Sequence, residues 1–177
     1  MKTIETERLI IRNFQEEDWK DLQEYLSDQE VIRYSPYMVH TDEMAKEEVH
    51  KRINTDDFMA VSLKQTNKVI GELIYENGEF DSKEVGFFFN TQYQGAGYAT
   101  EAVSALLDVA FNSLGVRRIT ARCDALNIKS QMLLERLGMR KEGMFIKHLY
   151  FKHDEKGNPI WADTCLYGIL NDEWKLA

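Results

Sequence analysis

Between residues 89 and 98 the hydrophobic period of the chain changes from that of strands to that of a helix, and this change limits the folds that the sequence can adopt. Before it, turn residues at Thr66–Asn67 and Asn77–Gly78 separate three short apolar runs, which cover 58–63, 69–75 and 84–89. Short apolar runs divided by such turns are typical of an antiparallel meander. After it, residues 98–114 place apolar side chains at i, i+3, i+4 and i+7, which predicts an amphipathic helix. Gly115 then suits a left-handed C-terminal cap.

The remaining segments predict a mixed order of helices and strands. Further strands are predicted over 9–14, 118–124, 144–151 and 161–170, and further helices over 15–27, 41–54 and 127–137. The length of 177 residues suits about one domain of ordinary size. Two prolines and ten glycines are spread along the chain, and no linker-like run marks a boundary. The sequence therefore predicts a single α/β domain over residues 1–177.

The charge balance excludes some classes of function. The chain has 22 Lys and Arg against 30 Asp and Glu, a net charge of −8, so it repels a nucleic-acid backbone, and no local basic patch offsets this. A cationic acceptor is favoured instead, the more so if the acid-rich stretches 16–18 and 47–48 lie beside it. No apolar run approaches the ~20 residues that a bilayer requires, and the first residues lack an apolar leader. We expect a cytoplasmic protein without a membrane or nucleic-acid partner.

The cysteines and histidines indicate neither a disulfide nor a metal site. Cys123 and Cys165 lie in apolar stretches, which is typical of buried thiols in a reducing compartment. The four histidines show neither His-Glu-x-x-His nor Cys-x-x-Cys spacing. We therefore expect no bound metal, and a disulfide or a nucleophilic cysteine is the less favoured alternative.

A glycine-rich turn, Gln94–Thr100, joins the strand predicted over 84–89 to the helix predicted over 98–114. Its glycines allow positive φ and the close approach of a ligand, and the start of the helix offers unpaired N–H groups and the positive end of its dipole. This pattern predicts a phosphate or pyrophosphate bound by main-chain donors. The Walker A pattern fails because no Gly-Lys-Ser/Thr follows, and the dinucleotide fingerprint fails because Thr100 replaces its third glycine. A glycine turn without a ligand is the alternative.

The turn resembles motif A of the GCN5-related N-acetyltransferases, a Gln/Arg-x-x-Gly-x-Gly/Ala pattern that Gln94, Gly97 and Ala99 match. A second motif, in which Asn127 and Ser130 head the helix after the fifth strand, is similar to the branch that acetylates the N-termini of ribosomal proteins. The resemblance covers the layout from residue 9 to residue 170. It implies that family's fold: a central mixed, mostly antiparallel twisted sheet of about six or seven strands, flanked by about four helices and splayed between strands 4 and 5.

The resemblance also implies where acetyl-CoA binds. The pantetheine arm would contact the main chain of the fourth strand at Phe87, Phe88 and Phe89, and would pass near Asn127. The glycine-rich turn would bind the pyrophosphate through Gln94, Gly95, Ala96, Gly97, Tyr98, Ala99 and Thr100. Ser130 would lie close to the cofactor sulfur. Asn127 is equally suited to cap the helix that follows it, and the two roles are compatible.

Direct acetyl transfer requires a neutral amine, and a carboxylate can accept its proton directly or through a water. Glu84, at the start of the fourth strand, and Glu72, inside the third, are the candidate catalytic bases; the alternative for each is a solvated strand residue. Many family members carry a tyrosine as general acid where this chain has Leu134, so Ser130 is the candidate that hydrogen-bonds the leaving thiolate. Members with a glutamate five residues before the asparagine have Arg122 matched to it here.

The implied function is acetyl-CoA-dependent N-acetylation of a primary amine, with the N-terminal α-amino group of a ribosomal-protein-like acceptor as the first candidate. Polyamines and aminoglycoside-like amines are alternative acceptors, and a non-catalytic acyl-CoA sensor is an alternative function. The resemblance further implies a homodimer. An aromatic set could line an acceptor groove, although core or dimer packing is the favoured interpretation: Tyr34, Tyr37, Phe145, Tyr150, Phe151, Trp161 and Trp174.

Overall fold

The computed structural model describes residues 3–174, so the prediction of one domain over 1–177 extends past it at both ends. The described strands are β1 (Ile4–Glu5), β2 (Leu9–Arg12), β3 (Phe58–Leu63), β4 (Val69–Asn77), β5 (Ser82–Phe89), β6 (Arg118–Asp124), β7 (Arg140–His153) and β8 (Pro159–Leu170). The described α-helices are α1 (Trp19–Leu26), α2 (Asp42–Ile53), α3 (Tyr98–Asp108) and α4 (Ile128–Arg136). A π-helical turn, Val109–Ser113, continues α3.

The seven predicted strands and four predicted helices are confirmed, and the differences lie at their ends. The two residues of β1 are too few to show a hydrophobic period. β7 begins at Arg140, before the predicted strand, because its first three residues are charged and show no apolar pattern. Within it, Arg140 pairs with Glu142, which also binds Arg118 of β6. The sheet therefore has eight strands among the described residues rather than six or seven.

The strands form one sheet in the order β1-β2-β3-β4-β5-β6-β8-β7. Neighbouring strands are antiparallel except β5 and β6, which are parallel. The pairing of β5 with β6 consists of Ser82 with Arg118, Lys83 with Ile119 and Glu84 with Thr120. β5 then continues to Phe89 and β6 to Asp124 without pairing with each other, although β4 and β8 still pair with their outer edges. The sheet thus opens between β5 and β6 beyond Glu84. These are the fourth and fifth strands of the prediction, which did not include β1, so the predicted splay is confirmed. We call this opening the gap.

Helices cover the sheet on both faces. α3 and α4 pack over the larger core, and α1 and α2 pack over a smaller core that adjoins β3 and β4. Side chains alternate between the faces along β5. Val85, Phe87 and Phe89 contact the larger core, whereas Phe88 contacts the smaller one. This alternation explains why three phenylalanines follow one another. None of the described helices is long and apolar enough to cross a membrane.

Gly71 allows β4 to approach the splayed end of β5. It faces Phe89 in the strand register, and a Cβ atom on it would lie 2.4 Å from the carbonyl oxygen of Phe88 and 2.7 Å from the Phe89 ring. Contacts this short are strongly repulsive, so any side chain at this position would displace both phenylalanines. Glycine at this position therefore maintains one border of the gap.

β7 and β8 form a long hairpin that extends past the rest of the sheet. β8 pairs with β6 only between Thr164 and Leu170, whereas it pairs with β7 as far as Pro159. The extension carries exposed apolar side chains, namely Phe145, Ile146, Tyr150, Phe151, Ile160 and Trp161. The hairpin therefore presents apolar surface that this chain does not cover itself.

Candidate active site

The glycine-rich turn and the N-terminus of α3 follow directly on the gap. The side-chain amide of Gln94 donates to the carbonyl of Phe89 at 3.0 Å, which holds the turn against the end of β5. Gly95 and Gly97 have φ angles of 79° and 85°, in the left-handed region that favours glycine. Gly97 is the N-cap of α3 and has no side chain to occupy the first N–H groups of the helix. The main chain thus forms a cradle that suits an anion.

Three cationic side chains surround this turn, and none of them was predicted from the sequence. Their hydrogen bonds join Arg8 to the Ala96 carbonyl (2.9 Å), Lys129 to Gln94 Oε1 (3.1 Å) and Arg136 to the Thr100 hydroxyl (3.2 Å). Lys129 and Arg136 are seven residues apart on α4, which places them on one helical face, so this spacing was a usable signal. Arg8 gave no such signal, because 88 residues separate it from Ala96.

α4 begins just beyond the splayed end of β6, and Asn127 caps it. Its Oδ1 accepts from the backbone N–H of Ser130 at 3.2 Å, so the capping interpretation is confirmed. Ser130 itself is half-buried in the first turn of α4. Leu134 is 1% exposed in the larger core. Leu134, which stands where the resemblance places a tyrosine, therefore packs in the core and cannot act as a general acid.

Glu72 lies in the smaller core and not at the surface. Its carboxylate accepts hydrogen bonds from Arg52 Nε (2.8 Å), from Arg52 Nη2 (3.1 Å) and from the hydroxyl of Tyr25 (3.0 Å). The side chains of Glu72 and Arg52 are 0% and 1% exposed. The alternative of a solvated strand residue is therefore wrong. The geometry also argues against a general base, because a buried carboxylate held by a guanidinium has no route to an acceptor amine.

Glu84 is the last residue of β5 that pairs with β6, so it marks the start of the gap. Burial raises the pKa of its carboxyl above the usual range, an effect that Arg122 at 3.4 Å opposes and Glu76 reinforces. Four residues, or about 13 Å of strand, separate Glu84 from Phe88. A proton leaving that end of the gap would have to reach Glu84 through water. Of the two candidate bases, the geometry favours Glu84.

Loop 28–40 borders the gap on the face opposite α3. The hydroxyl of Tyr34 donates to the carbonyl of Leu126 at 3.3 Å, which ties the loop to the segment that follows β6. Tyr37 packs edge-on against Phe88, with ring centroids 5.5 Å apart. Burial raises the pKa of Tyr37 to about 12, so its hydroxyl stays protonated near neutral pH. The loop thus adds two aromatic side chains beside the gap.

The other candidate groups lie elsewhere. Trp174 packs against Phe111 beside the larger core, with ring centroids 6.0 Å apart. The remaining aromatic residues of the predicted set are exposed on the hairpin. Within residues 3–174, no group of three or more His, Cys, Asp or Glu side chains is placed to hold a metal ion.

The family of the chain follows from comparison with known proteins. A family model described as an acetyltransferase (GNAT) domain matches residues 8–140. The chain belongs to the GNAT acetyltransferase family. It is also 39% identical over 175 residues to a relative named "Uncharacterized N-acetyltransferase YnaD" from Bacillus subtilis, and the match covers 97% of this chain and 98% of that one. This GNAT protein is thus an N-acetyltransferase.

Solved structures of the GNAT family have the same fold. The acetyltransferase from Bacillus anthracis superposes with a TM-score of 0.88 at 35% identity, covering 97% of this chain and 100% of that one. The ribosomal-protein-S5-alanine acetyltransferase from Vibrio fischeri superposes with a TM-score of 0.78 at 26% identity, covering 99% of this chain and 100% of that one. The predicted GNAT fold is therefore confirmed along the chain.

We predict that loss of Arg52 destabilises the GNAT domain strongly. Arg52→Met leaves the buried Glu72 carboxylate without its partner, which costs about 3–5 kcal/mol in the free energy of unfolding. The double variant Arg52→Met/Glu72→Met removes both charges and should recover most of that loss. Urea denaturation followed by circular dichroism measures both variants. As a control, Arg122→Met breaks the more exposed pair with Glu84 and should cost less than about 1 kcal/mol; an equally small loss for Arg52→Met would contradict the prediction.

Proposed function

We propose that this GNAT protein transfers the acetyl group of acetyl-CoA directly to a primary amine, with the α-amino group of a peptide N-terminus as the first candidate. One observation carries the proposal. The gap has a glycine turn lined with cations on the α3 side and loop 28–40 on the opposite face. A donor with a pyrophosphate and an acceptor amine can therefore meet in one opening. The similarity to a ribosomal-protein-S5-alanine acetyltransferase supports the peptide acceptor.

The residues at the turn fit coenzyme A. No atom lies within 4 Å of the position that a Cβ on Gly95 would take, which leaves room for phosphate oxygens beside the N–H groups of α3. Lys129 and Arg136 add positive charge nearby. Arg8 also borders the turn, although Glu101 offsets its charge at 2.6 Å. We assign the pyrophosphate to Gln94–Thr100, and the pantetheine arm to the main chain of Phe87–Phe89 beside Asn127. Bound acetyl-CoA supplies the activated acyl group.

Few side chains are needed for the transfer itself. Beyond Glu84, the edge of β5 that faces the gap does not pair with β6, so its N–H groups can stabilise negative charge on the acetyl carbonyl oxygen. Glu84 would accept the proton of the amine through water. The hydroxyl of Ser130, in the first turn of α4, would hydrogen-bond the leaving sulfur.

Leu134 favours a second candidate function, the binding of acyl-CoA without turnover. A sensor of this kind needs no general acid, and the buried Leu134 supplies none. Release of free thiol from acetyl-CoA in the presence of peptides, polyamines or aminoglycoside-like amines separates the two functions. A sensor binds coenzyme A and releases no thiol with any of these acceptors.

We further propose that the protein forms a homodimer through the β7–β8 hairpin. Phe145, Tyr150, Phe151 and Trp161 are each 43–49% exposed. A fully exposed aromatic side chain has about 150–250 Å² that burial can cover. Together with its exposed Met and Ile side chains, the hairpin therefore presents roughly 600 Å² of apolar surface. This area is near the ~800 Å² that each partner buries in a standard interface. Residues 140–163 hold five Lys and Arg against four Asp and Glu, so two chains of net charge −8 meet here with little repulsion.

Two further assignments concern the whole chain. We propose that residues 1–177 act as one domain, because one sheet connects β1 to β8. We also propose the cytoplasm as its location. Cys123 and Cys165 are cross-strand partners that remain thiols, a state that a reducing compartment maintains. Cys165 is buried and Cys123 half-buried, and burial raises the pKa of Cys123 to about 12, so neither favours a nucleophilic role.

We predict that Gly97→Asp causes a loss of coenzyme A binding with the fold intact. The carboxylate would lie at the proposed pyrophosphate site, so calorimetry should show affinity for coenzyme A at least tenfold weaker, or about 1.4 kcal/mol. Gly115→Asp is the matched control, because Gly115 also has positive φ, at 65°, but lies past the opposite end of the helical segment. Unchanged affinity in Gly97→Asp would refute the assignment of the turn.

The pH dependence of turnover tests Glu84 as the base. A base works only when ionised, so kcat should fall as the pH drops through its pKa, which burial places above the ordinary glutamate range. Glu84→Gln should remove this acidic limb. In the control Glu76→Gln, loss of a like charge lowers the pKa of Glu84, so the limb should persist and move to lower pH. A profile for Glu84→Gln that superimposes on the wild type would exclude Glu84.

Light scattering in solution tests the homodimer. The wild type should have about twice the chain mass of 20.7 kDa. Trp161→Lys places a charge in the apolar surface and should give the monomer mass. Leu114→Lys changes an equally exposed apolar residue outside the hairpin and should leave the dimer intact. A monomeric wild type, or a dimer that survives Trp161→Lys, would contradict this interface.

A further inference from the structure

A groove separates loop 28–40 from the far end of the hairpin. Its volume is about 620 Å³, within the range of ligand sites in proteins. Its lining includes Ile32, Tyr37, Met38, Val39, Phe151 and Lys152. Tyr37 also packs against Phe88, with ring centroids 5.5 Å apart, so Tyr37 lies between the groove and the gap. We call it the loop–hairpin groove.

The walls of the loop–hairpin groove carry apolar side chains that the described residues leave uncovered. Met38, Val39 and Phe151 are 70%, 47% and 43% exposed. Removing such surface from water is favourable, so an apolar ligand segment would bind along it. Met38 and Val39, on loop 28–40, lie outside the proposed dimer surface, whereas Phe151 adjoins both surfaces. Lys152 pairs with Ile160 on one face of the hairpin, and Tyr150 pairs with Trp161 on the other.

The groove carries a positive charge in a chain that is negative as a whole. Arg33 and Glu30 lie 3.7 Å apart and offset each other. Lys152 donates to the carbonyl of Arg33 at 3.1 Å, and no carboxylate of residues 3–174 forms an ion pair with it within 4 Å. The ammonium of Lys152 is therefore the uncompensated charge of the groove.

The sequence suggested the acid-rich stretches 16–18 and 47–48 as attractors for a cation, and two of their carboxylates are held in ion pairs. Asp18 binds Arg12 at 2.7 Å, and Glu48 binds Arg52 and Lys51. None of these carboxylates lines the loop–hairpin groove. The expectation of a cationic acceptor followed from the net charge of −8. The uncompensated charge in the groove, that of Lys152, is positive and favours an anionic group instead.

We propose that the loop–hairpin groove binds the part of the acceptor that follows the amine, and that it selects a peptide with apolar residues after its N-terminus and an acidic residue after those. The amine would enter the gap past Tyr37, the apolar residues would cover Met38, Val39 and Phe151, and the acid would pair with Lys152. This inference rests on the proposed acetyl transfer and assigns its acceptor side.

Two amidated peptides test the charge preference, Ala-Leu-Leu-Glu-amide and Ala-Leu-Leu-Lys-amide, with spermidine as a polyamine probe. Thiol release at low salt should give a kcat/KM for the glutamate peptide on the order of fivefold above that for the lysine peptide, through KM. Salt should reduce the ratio because it screens the pair. Lys152→Glu should reverse the preference. Lys156→Glu makes the same charge change at the exposed hairpin turn, outside the groove, and should preserve it.

The apolar walls have a test of their own. Phe151→Ala should reduce the preference for Ala-Leu-Leu-Glu-amide over Ala-Gly-Gly-Glu-amide and leave the preference for glutamate over lysine in place. A wild type that uses the glutamate and lysine peptides equally, or that prefers spermidine, would overturn the inference while turnover upheld the proposed function. If no amine releases thiol, the proposed function fails. Calorimetry of the same peptides with coenzyme A present then tests the groove, and equal affinities overturn it.

Discussion

The rest of the site depends on the short parallel pairing between β5 and β6, because the sheet opens where this pairing ends. Three residue pairs join the strands, and beyond Glu84 and Thr120 they separate. Beyond this point, the main-chain N–H and C=O groups on the facing edges of β5 and β6 no longer hydrogen-bond to one another. Unpaired backbone groups cost free energy unless water or a ligand satisfies them. The opening therefore lies within the sheet itself, and Gly71 maintains one border of it because no Cβ displaces Phe88 and Phe89.

Charge is distributed locally in a way that the net value of −8 conceals. Arg8, Lys129 and Arg136 gather around the glycine turn, where an anion would bind. On the other face, the buried pair of Arg52 and Glu72 joins α2 to β4, and Arg52 also donates to the hydroxyl of Tyr37 at 3.0 Å. One interior ion pair thus connects the helical layer to the loop beside the gap. A net charge describes attraction at long range, but contacts at 3 Å decide what a site holds.

Much of the fold could be predicted because its signals are local. The period over 98–114 and the turn residues of the meander act over a few positions, and α3 and β3–β5 appear where these signals place them. The glycine turn is local as well. The splay is different, since the resemblance to a family implied it and no pattern in β5 or β6 did. The site beyond the turn was harder to predict: Arg8 meets Ala96 across 88 residues, and sequence alone gives no distance between them.

Glu72 shows where prediction from sequence ended. The alternation along β4 assigns it to one face of the sheet, and whether that face meets water or a core depends on where α1 and α2 pack. The amino-acid sequence by itself determined the order of elements, the glycine turn and the capping of α4 by Asn127, because neighbours in the chain create those features. Only the tertiary structure decided which carboxylate is buried, which cations surround the turn and which charge lies in the loop–hairpin groove, because these depend on contacts between distant segments.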